Sequence, residues 1–404
     1  MMLTWILTFT TLLILTQCWE LPKTSGSQGN DKENSSIWAS EFAQLESLTQ
    51  FALKATQNNI GDHQAGCTLE TLKIRRNWRQ FSSAEKKDYI RSVLCLQALP
   101  SRTPPELAPG AKTRYDDFVA THMNQTETIH RSGFFLAWHR YFTHEFELSL
   151  RNECGYTGDF PYWDWGADAD SMENSPVFDG SDTSLSGNGA FIPKQKGVRV
   201  PIGNYTPVFL PPGTGGGCVT SGPFVNYTVN MGPSYLSIPG GDIVFRRFPL
   251  DHNPRCMTRD LTTPALRSFA NYTSILHLIL HSQDILNFET SIQGRPESGS
   301  IGLHGGGHYA MGGDPGNDAD GSPGDPGFWH HHGMIDRVWW IWQSLDLTNR
   351  QYAVAGTETY LNQPASPDVT LQTTVNVGYV NGNRSIAMKD IMSTTAGPFC
   401  YAYV

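Results

Sequence analysis

Residues 121–150 read THMNQTETIHRSGFFLAWHRYFTHEFELSL, and the three histidines set in this stretch, His122, His130 and His139, decide how the rest of the chain must fold. Beyond His139, RYFTHEFELSL is a helical pattern with an apolar face. A second set of three lies far downstream. His304 and His308 stand in LHGGGHYAMGG, and His332 stands in DPGFWHHHGMID. Imidazole suits copper, zinc, iron or nickel. Two three-imidazole sets, with no cysteine or carboxylate mixed in, point to two equivalent metal ions rather than one structural zinc.

Spacing alone carries little of this. The chain has 13 histidines, and His277 and His281 in SILHLILHSQDIL share the i, i+4 spacing that places two rings on one helix face. The surroundings separate the six from the rest. Asp336 follows His332 by one helical turn, within reach of a hydrogen bond to a metal-bound imidazole.

The longer motifs resemble a known family. FFLAWHRYFTHEFELSL, followed by GDFPYWDW, resembles the first copper region of tyrosinases and catechol oxidases. DPGFWHHHGMIDRVWWIWQ, with LHGGGHYAMGGD upstream, resembles the second. IRRNWRQFSSAEKKDYIRSVLCLQALP is similar to the entry segment of secreted fungal members, so the likeness runs from roughly Arg75 to the C-terminus. It implies a type-3 centre with two copper ions as cofactors and dioxygen as co-substrate. His122, His130 and His139 would hold one copper, and His304, His308 and His332 the other. Aligning the family's pattern on Asp325, Phe328 and Asp336 puts the last ligand on His332, with His331 as its adjacent partner and His330 at a position usually apolar. At about 100° per residue, three successive helix positions cannot all face one metal.

The same resemblance implies oxidation of a small phenolic substrate, an o-diphenol leaving as an o-quinone. The alternatives are a tyrosinase that also hydroxylates monophenols or takes o-aminophenols, and, more remotely, a haemocyanin-like dioxygen carrier. A binuclear hydrolase would be expected to include bridging carboxylates, which the ligand motifs lack. In many tyrosinases an Asn after the first ligand of the second copper helps a nearby Glu hold a water. Here that residue is Gly305, with Gln293 and Glu297 in the region where the Glu is sought. This favours diphenol oxidation, and no catalytic residue is assigned beyond the metal ligands. Some relatives cross-link a Cys two residues before the middle ligand; Thr128 stands there, so no thioether is expected. Phe135, Phe328 and Trp329 flank the ligands, where packing outweighs pocket lining as the expected role. Tyr401 and Tyr403 match the family's closing Tyr-x-Tyr motif, which implies a short form without a shielding C-terminal domain.

Residues 1–18 read as a signal peptide, and residues 19–40 as a polar tail. Residues 41–404 then form one copper domain, because the two histidine sets must pack together. Without Cys18 six cysteines remain, an even number suited to an oxidising compartment, with 15 possible pairings. Sequons at Asn34, Asn124, Asn204, Asn226, Asn271 and Asn383 fit a secreted glycoprotein, with Asn124 disfavoured by its place between two ligands. A formal charge of −9 and no basic run argue against nucleic acid or membrane partners. Helices are expected over 41–60 with Ser40 as N-cap, and over 82–99 with Ser82 and Glu85 as a capping box. Further helices are expected over 115–122, 133–152, 262–288 and 330–347. Residues 166–255, rich in Gly, Pro, Ser and Asn, read as long loops and short strands. The fold class is therefore mainly α: a helical bundle holding a binuclear copper centre, with long loops and a few short strands.

Overall fold

The computed structural model describes residues 38–63, 66–202 and 205–404. The signal-length run, Cys18, most of the expected tail and the sequons at Asn34 and Asn204 lie outside the described residues. Helix α1 spans Ala39–His63. It begins ahead of Ser40, whose hydroxyl turns to Glu41 instead of capping, so residues 39 and 40 belong to the helix rather than to the tail.

Helix α2, Ser83–Ala98, starts at the Ser82/Glu85 capping box that the spacing indicates. Helix α3, Arg114–Ile129, has a second box from Thr113 and Asp116 and runs beyond the expected 115–122. Helix α4, Phe135–Cys154, ends at Gly155, whose φ of 66° is the left-handed conformation of a helix stop. The expected helix over 262–288 is three: α5 Thr263–Phe269, α6 Tyr272–His281 and α7 Ile285–Ile292. Side chains explain the restarts. Asn271 accepts from Ser274 N at 2.8 Å and Asp284 from Asn287 N at 2.8 Å, each capping a new helix. With its amide also given to the Arg267 carbonyl, Asn271 is buried and closed to a glycan, whereas Asn124, Asn226 and Asn383 are exposed.

Helix α8, Gly302–Met311, carries His304 and His308 and is absent from the sequence expectation. Three consecutive glycines, each costing about 1 kcal/mol against alanine in a helix, hide it. Packing recovers that cost: a Cβ at Gly306 would come within 2.9 Å of Phe269 Cβ, so α8 lies flush on α5. Helix α9, Gly327–Ser344, is buried on every side and packs on α1, α4, α6 and α8.

A small parallel sheet sits beside this bundle. Strand β1, Lys73–Asn77, lies between β2, Phe160–Tyr162, and β3, Tyr401–Tyr403. Arg75 pairs with Phe160 on one side and Tyr403 on the other. Disulfides join Cys67 to Cys400, Cys95 to Cys154 and Cys218 to Cys256. The last braces the irregular segment 166–255, whose strands are two to four residues long, as its composition indicates. No helix among the described residues is long and apolar enough to cross a membrane.

Candidate metal centre

Each histidine of the first set is placed by a different local device. His122 lies within α3, His130 is the residue that ends α3, and His139 sits one turn into α4. Their ring centroids are 5.0–5.6 Å apart. His304 and His308 stand one turn apart on α8, 4.7 Å between centroids, and His332 on α9 lies 5.3 and 5.6 Å from them. The two sets abut: His139 stacks on His332 at 4.5 Å and 13°, and His130 is 5.6 Å from His304. Phe135 packs against His139 and His304, and Phe328 against His332 and His122, so both wedge ligand rings. Trp329 stacks on Phe146 at 3.7 Å and is packing alone.

The hydrogen bonds set the tautomers. His122 Nδ1 meets the Asp320 carbonyl at 2.7 Å, His130 Nδ1 that of Thr126 at 3.1 Å, His139 Nδ1 that of Phe135 at 2.7 Å, and His308 Nδ1 that of Gly316 at 3.2 Å. A carbonyl only accepts, so each Nδ1 carries the proton and each Nε2 keeps a lone pair. The inward Nε2 atoms of His122 and His139, and both ring nitrogens of His332, are buried without a partner. His304 Nε2 and His308 Nε2 converge to 3.1 Å. Buried lone pairs aimed at one another are the donor set a cation satisfies. Burial holds all six rings below the ordinary imidazole pKa, His130 and His308 down to about 4, so they are neutral near pH 7.

Helix α9 turns its three successive histidines three ways. His330 packs edge-on against Trp78 and Tyr89, away from the centre. His331 also comes within ligand-atom reach of His304, His308 and His332. However, its ring lies over Gly307, where a Cβ would sit 2.2 Å from its Nδ1, and against Trp165. His332 faces His139 across the gap between the sets. Asp336 does not meet the expectation placed on it. Its carboxylate accepts from Arg140 Nε at 2.6 Å, Arg75 at 3.2 Å, and the hydroxyls of Tyr401 and Tyr403 at 2.6 Å each, with no hydrogen bond to His332. One turn of spacing puts Asp336 on the same side of α9, but two buried guanidiniums draw its carboxylate to the sheet. The Tyr-x-Tyr pair is thus tied to the ligand helix.

A family model, the common central domain of tyrosinase, matches residues 112–345, the segment that holds both histidine sets. The chain belongs to the tyrosinase family. It is 40% identical over 331 residues to tyrosinase P of Aspergillus terreus, covering 82% of this chain and 91% of that protein. It is 38% identical over 354 residues to the N-acetyl-6-hydroxytryptophan oxidase of Emericella nidulans, covering 83% and 93%. A solved variant of a polyphenol oxidase from Thermothelomyces thermophila superposes with a TM-score of 0.83 at 40% identity, covering 90% of this chain and 98% of that one. The protein is a tyrosinase-type copper oxidoreductase, and the family implies a binuclear copper centre.

In this tyrosinase-family fold a cavity of about 170 Å³ reaches the histidines, lined by His130, His304, His308, Gly305 and Gln293 among others. Of the two residues left open for the water-holding role, Gln293 reaches this cavity; Glu297 is exposed and lines only the neighbouring one. Gln293 Oε1 accepts from Arg131 N at 2.7 Å. With Thr128 bonded to the Gln125 carbonyl and all six described cysteines in disulfides, His130 is oriented by Thr126 and Phe135 without a thioether. His277 and His281 stack on each other on the exposed face of α6.

Sequence reasoning missed Glu289. In ILNFETSI the buried positions are Ile285, Phe288, Glu289 and Ile292, so a carboxylate on the apolar stripe was the signal. Burial pushes its carboxyl up to about 8, against one long contact from Leu136 N at 3.5 Å. A raised carboxyl pKa stabilises the fold fully below the ordinary value of 4.5, and this contribution is lost as pH rises through about 8. Glu289→Gln should therefore gain stability over the wild type by a few kcal/mol on going from pH 5 to pH 9, read from urea midpoints at each pH.

Proposed function

We propose that the protein oxidises o-diphenols to o-quinones, with two coppers held by His122, His130 and His139 and by His304, His308 and His332. The observation that carries this reading is the pair of abutting imidazole sets with unpartnered inward nitrogens. The balance is two diphenols and one dioxygen giving two quinones and two waters. Bound copper supplies the redox change that couples the two halves. The protein's part is orientation. Backbone carbonyls fix the tautomers, Phe135 and Phe328 hold the rings, and His331 buttresses α8 through Gly307.

The cavity favours diphenols over monophenols. Hydroxylation needs a base for the phenol proton, and Gly305 has no side chain while the Gln293 amide does not accept a proton. Asp318, also on the cavity, spends its carboxylate on the backbone N–H groups of Ser234, Tyr235, Asp320 and Gly321. A second reading, hydroxyindole or aminophenol oxidation, draws support from the hydroxytryptophan oxidase among the relatives. The three disulfides support secretion, with residues 1–18 as signal peptide and, with the boundary moved to the start of α1, residues 39–404 as one copper domain.

Oxygen uptake by copper-loaded protein tests this. Rapid uptake with tert-butylcatechol and little with tert-butylphenol, primed with a trace of diphenol, is the expected result; no uptake with any catechol would refute it. The double variant Gly305→Asn/Gln293→Glu should raise the rate on tert-butylphenol relative to tert-butylcatechol by at least about tenfold, since a positioned base is worth ~10²–10⁴-fold. The Asn requires Ile301 to move, its Cβ being 2.9 Å from a Cβ at position 305.

A further inference from the structure

The cavity at the histidines adjoins a larger one of about 780 Å³, and Arg131 lines both. Arg131 has φ 49°, a left-handed conformation costly for a residue with a long side chain. Three tethers hold it there. Its N–H donates to Gln293 Oε1, its carbonyl accepts from Leu361 N at 3.0 Å, and its guanidinium donates to the Gly294 carbonyl. Leu361 and Asn362, on the wall of the larger cavity, are left-handed too, at 49° and 56°. Backbone strain gathered around one cavity is a mark of a ligand site.

The guanidinium spends one of its donors on Gly294 and makes no ion pair among the described residues. Burial disfavours its charge, while Tyr360 and the exposed Glu297 favour it without an ion pair to either. Glu297 is exposed and lies 3.9 Å from Arg295, and burial pushes the Glu289 carboxyl up to about 8, which disfavours its charge. A planar fork of N–H donors with no carboxylate bonded to it among the described residues, next to the ligand His130, matches an anionic planar group.

We propose that Arg131 selects catechols bearing a carboxylate, binding that carboxylate at the junction of the two cavities while the ring lies over His304 and His308. This rests on the oxidase reading above. Pro201, Ile202 and Tyr360, which also line both cavities, offer apolar wall to the chain joining ring and carboxylate.

The test compares dihydrocaffeic acid with its methyl ester, equal in ring and nearly equal in size, on the copper-loaded full chain. Wild type should favour the acid in kcat/KM by about tenfold, the scale of one charge-assisted hydrogen bond. Arg131→Gln should bring the acid-to-ester ratio close to one by raising KM for the acid, and Arg131→Lys should restore part of it. Equal use of acid and ester by the wild type would overturn the inference without any variant, as would a ratio that Arg131→Gln leaves unmoved. Oxidation of tert-butylcatechol but of neither probe would overturn it and leave the oxidase reading standing. No oxidation of any catechol by copper-bearing protein would overturn both.

Discussion

His332→Asn should leave one copper equivalent in place of two and abolish catechol-dependent oxygen uptake. His331→Asn should keep both metals and lose about 10- to 100-fold in rate, the range for a residue that supports a ligand rather than serving as one. The pair separates two neighbours that both come within reach of His304 and His308. The distinction is directional. His332 stacks on His139 of the opposite set, whereas His331 rests over Gly307 and Trp165. Copper per chain by atomic absorption, measured beside the oxygen electrode, reads both quantities. Loss of a copper in His331→Asn with retention in His332→Asn would reverse the assignment.

Asp336→Asn should lower the unfolding free energy of the copper-free protein by about 3–5 kcal/mol. Arg140 and Arg75 are almost wholly buried, and Asp336 accepts from both. Burial alone would push the Asp336 carboxyl up; Arg140 and Arg75 hold it below its ordinary value, and it stays ionised. The amide leaves Arg140 without an anion and Arg75 with Glu147, which Arg151 shares, and offers one acceptor oxygen where Arg140, Arg75 and both tyrosine hydroxyls used two. Tyr401→Phe, which deletes a single hydrogen bond to that carboxylate, should cost about 1–2 kcal/mol. Urea midpoints of the three proteins at pH 7 make the comparison. An Asp336→Asn midpoint no lower than that of Tyr401→Phe would mean that the Asp336 charge is not what holds the two arginines.

These outcomes bear on what was legible beforehand. The six imidazoles, the capping box at Ser82 and the bundle were readable because each is local or carries a long motif. Helix α8 was not, because Gly305–Gly307 erase its propensity and its stability comes from close approach to α5 and His331. The division of residues 262–288 turned on two Asx caps, Asn271 and Asp284, which look like ordinary polar interruptions of a helical pattern. Asp336 was misplaced because periodicity gives the side of a helix but not which of two partners on that side holds the stronger charge. Arg131 escaped notice because a cavity wall assembled from four separate segments has no local signal, whereas Glu289 did carry one, its place on the apolar stripe of its helix.

The sheet that fastens Tyr403 to Arg75 joins positions 328 residues apart. A ribosome delivers chains from one end, so all six imidazoles are synthesised before the strand that anchors the α9 carboxylate exists. The hydroxyls of Tyr401 and Tyr403 can reach Asp336 on α9 only once that strand lies against β1. In a chain that grows from its N-terminus, the tie between sheet and ligand helix is thereby made after every imidazole of the centre is already in hand.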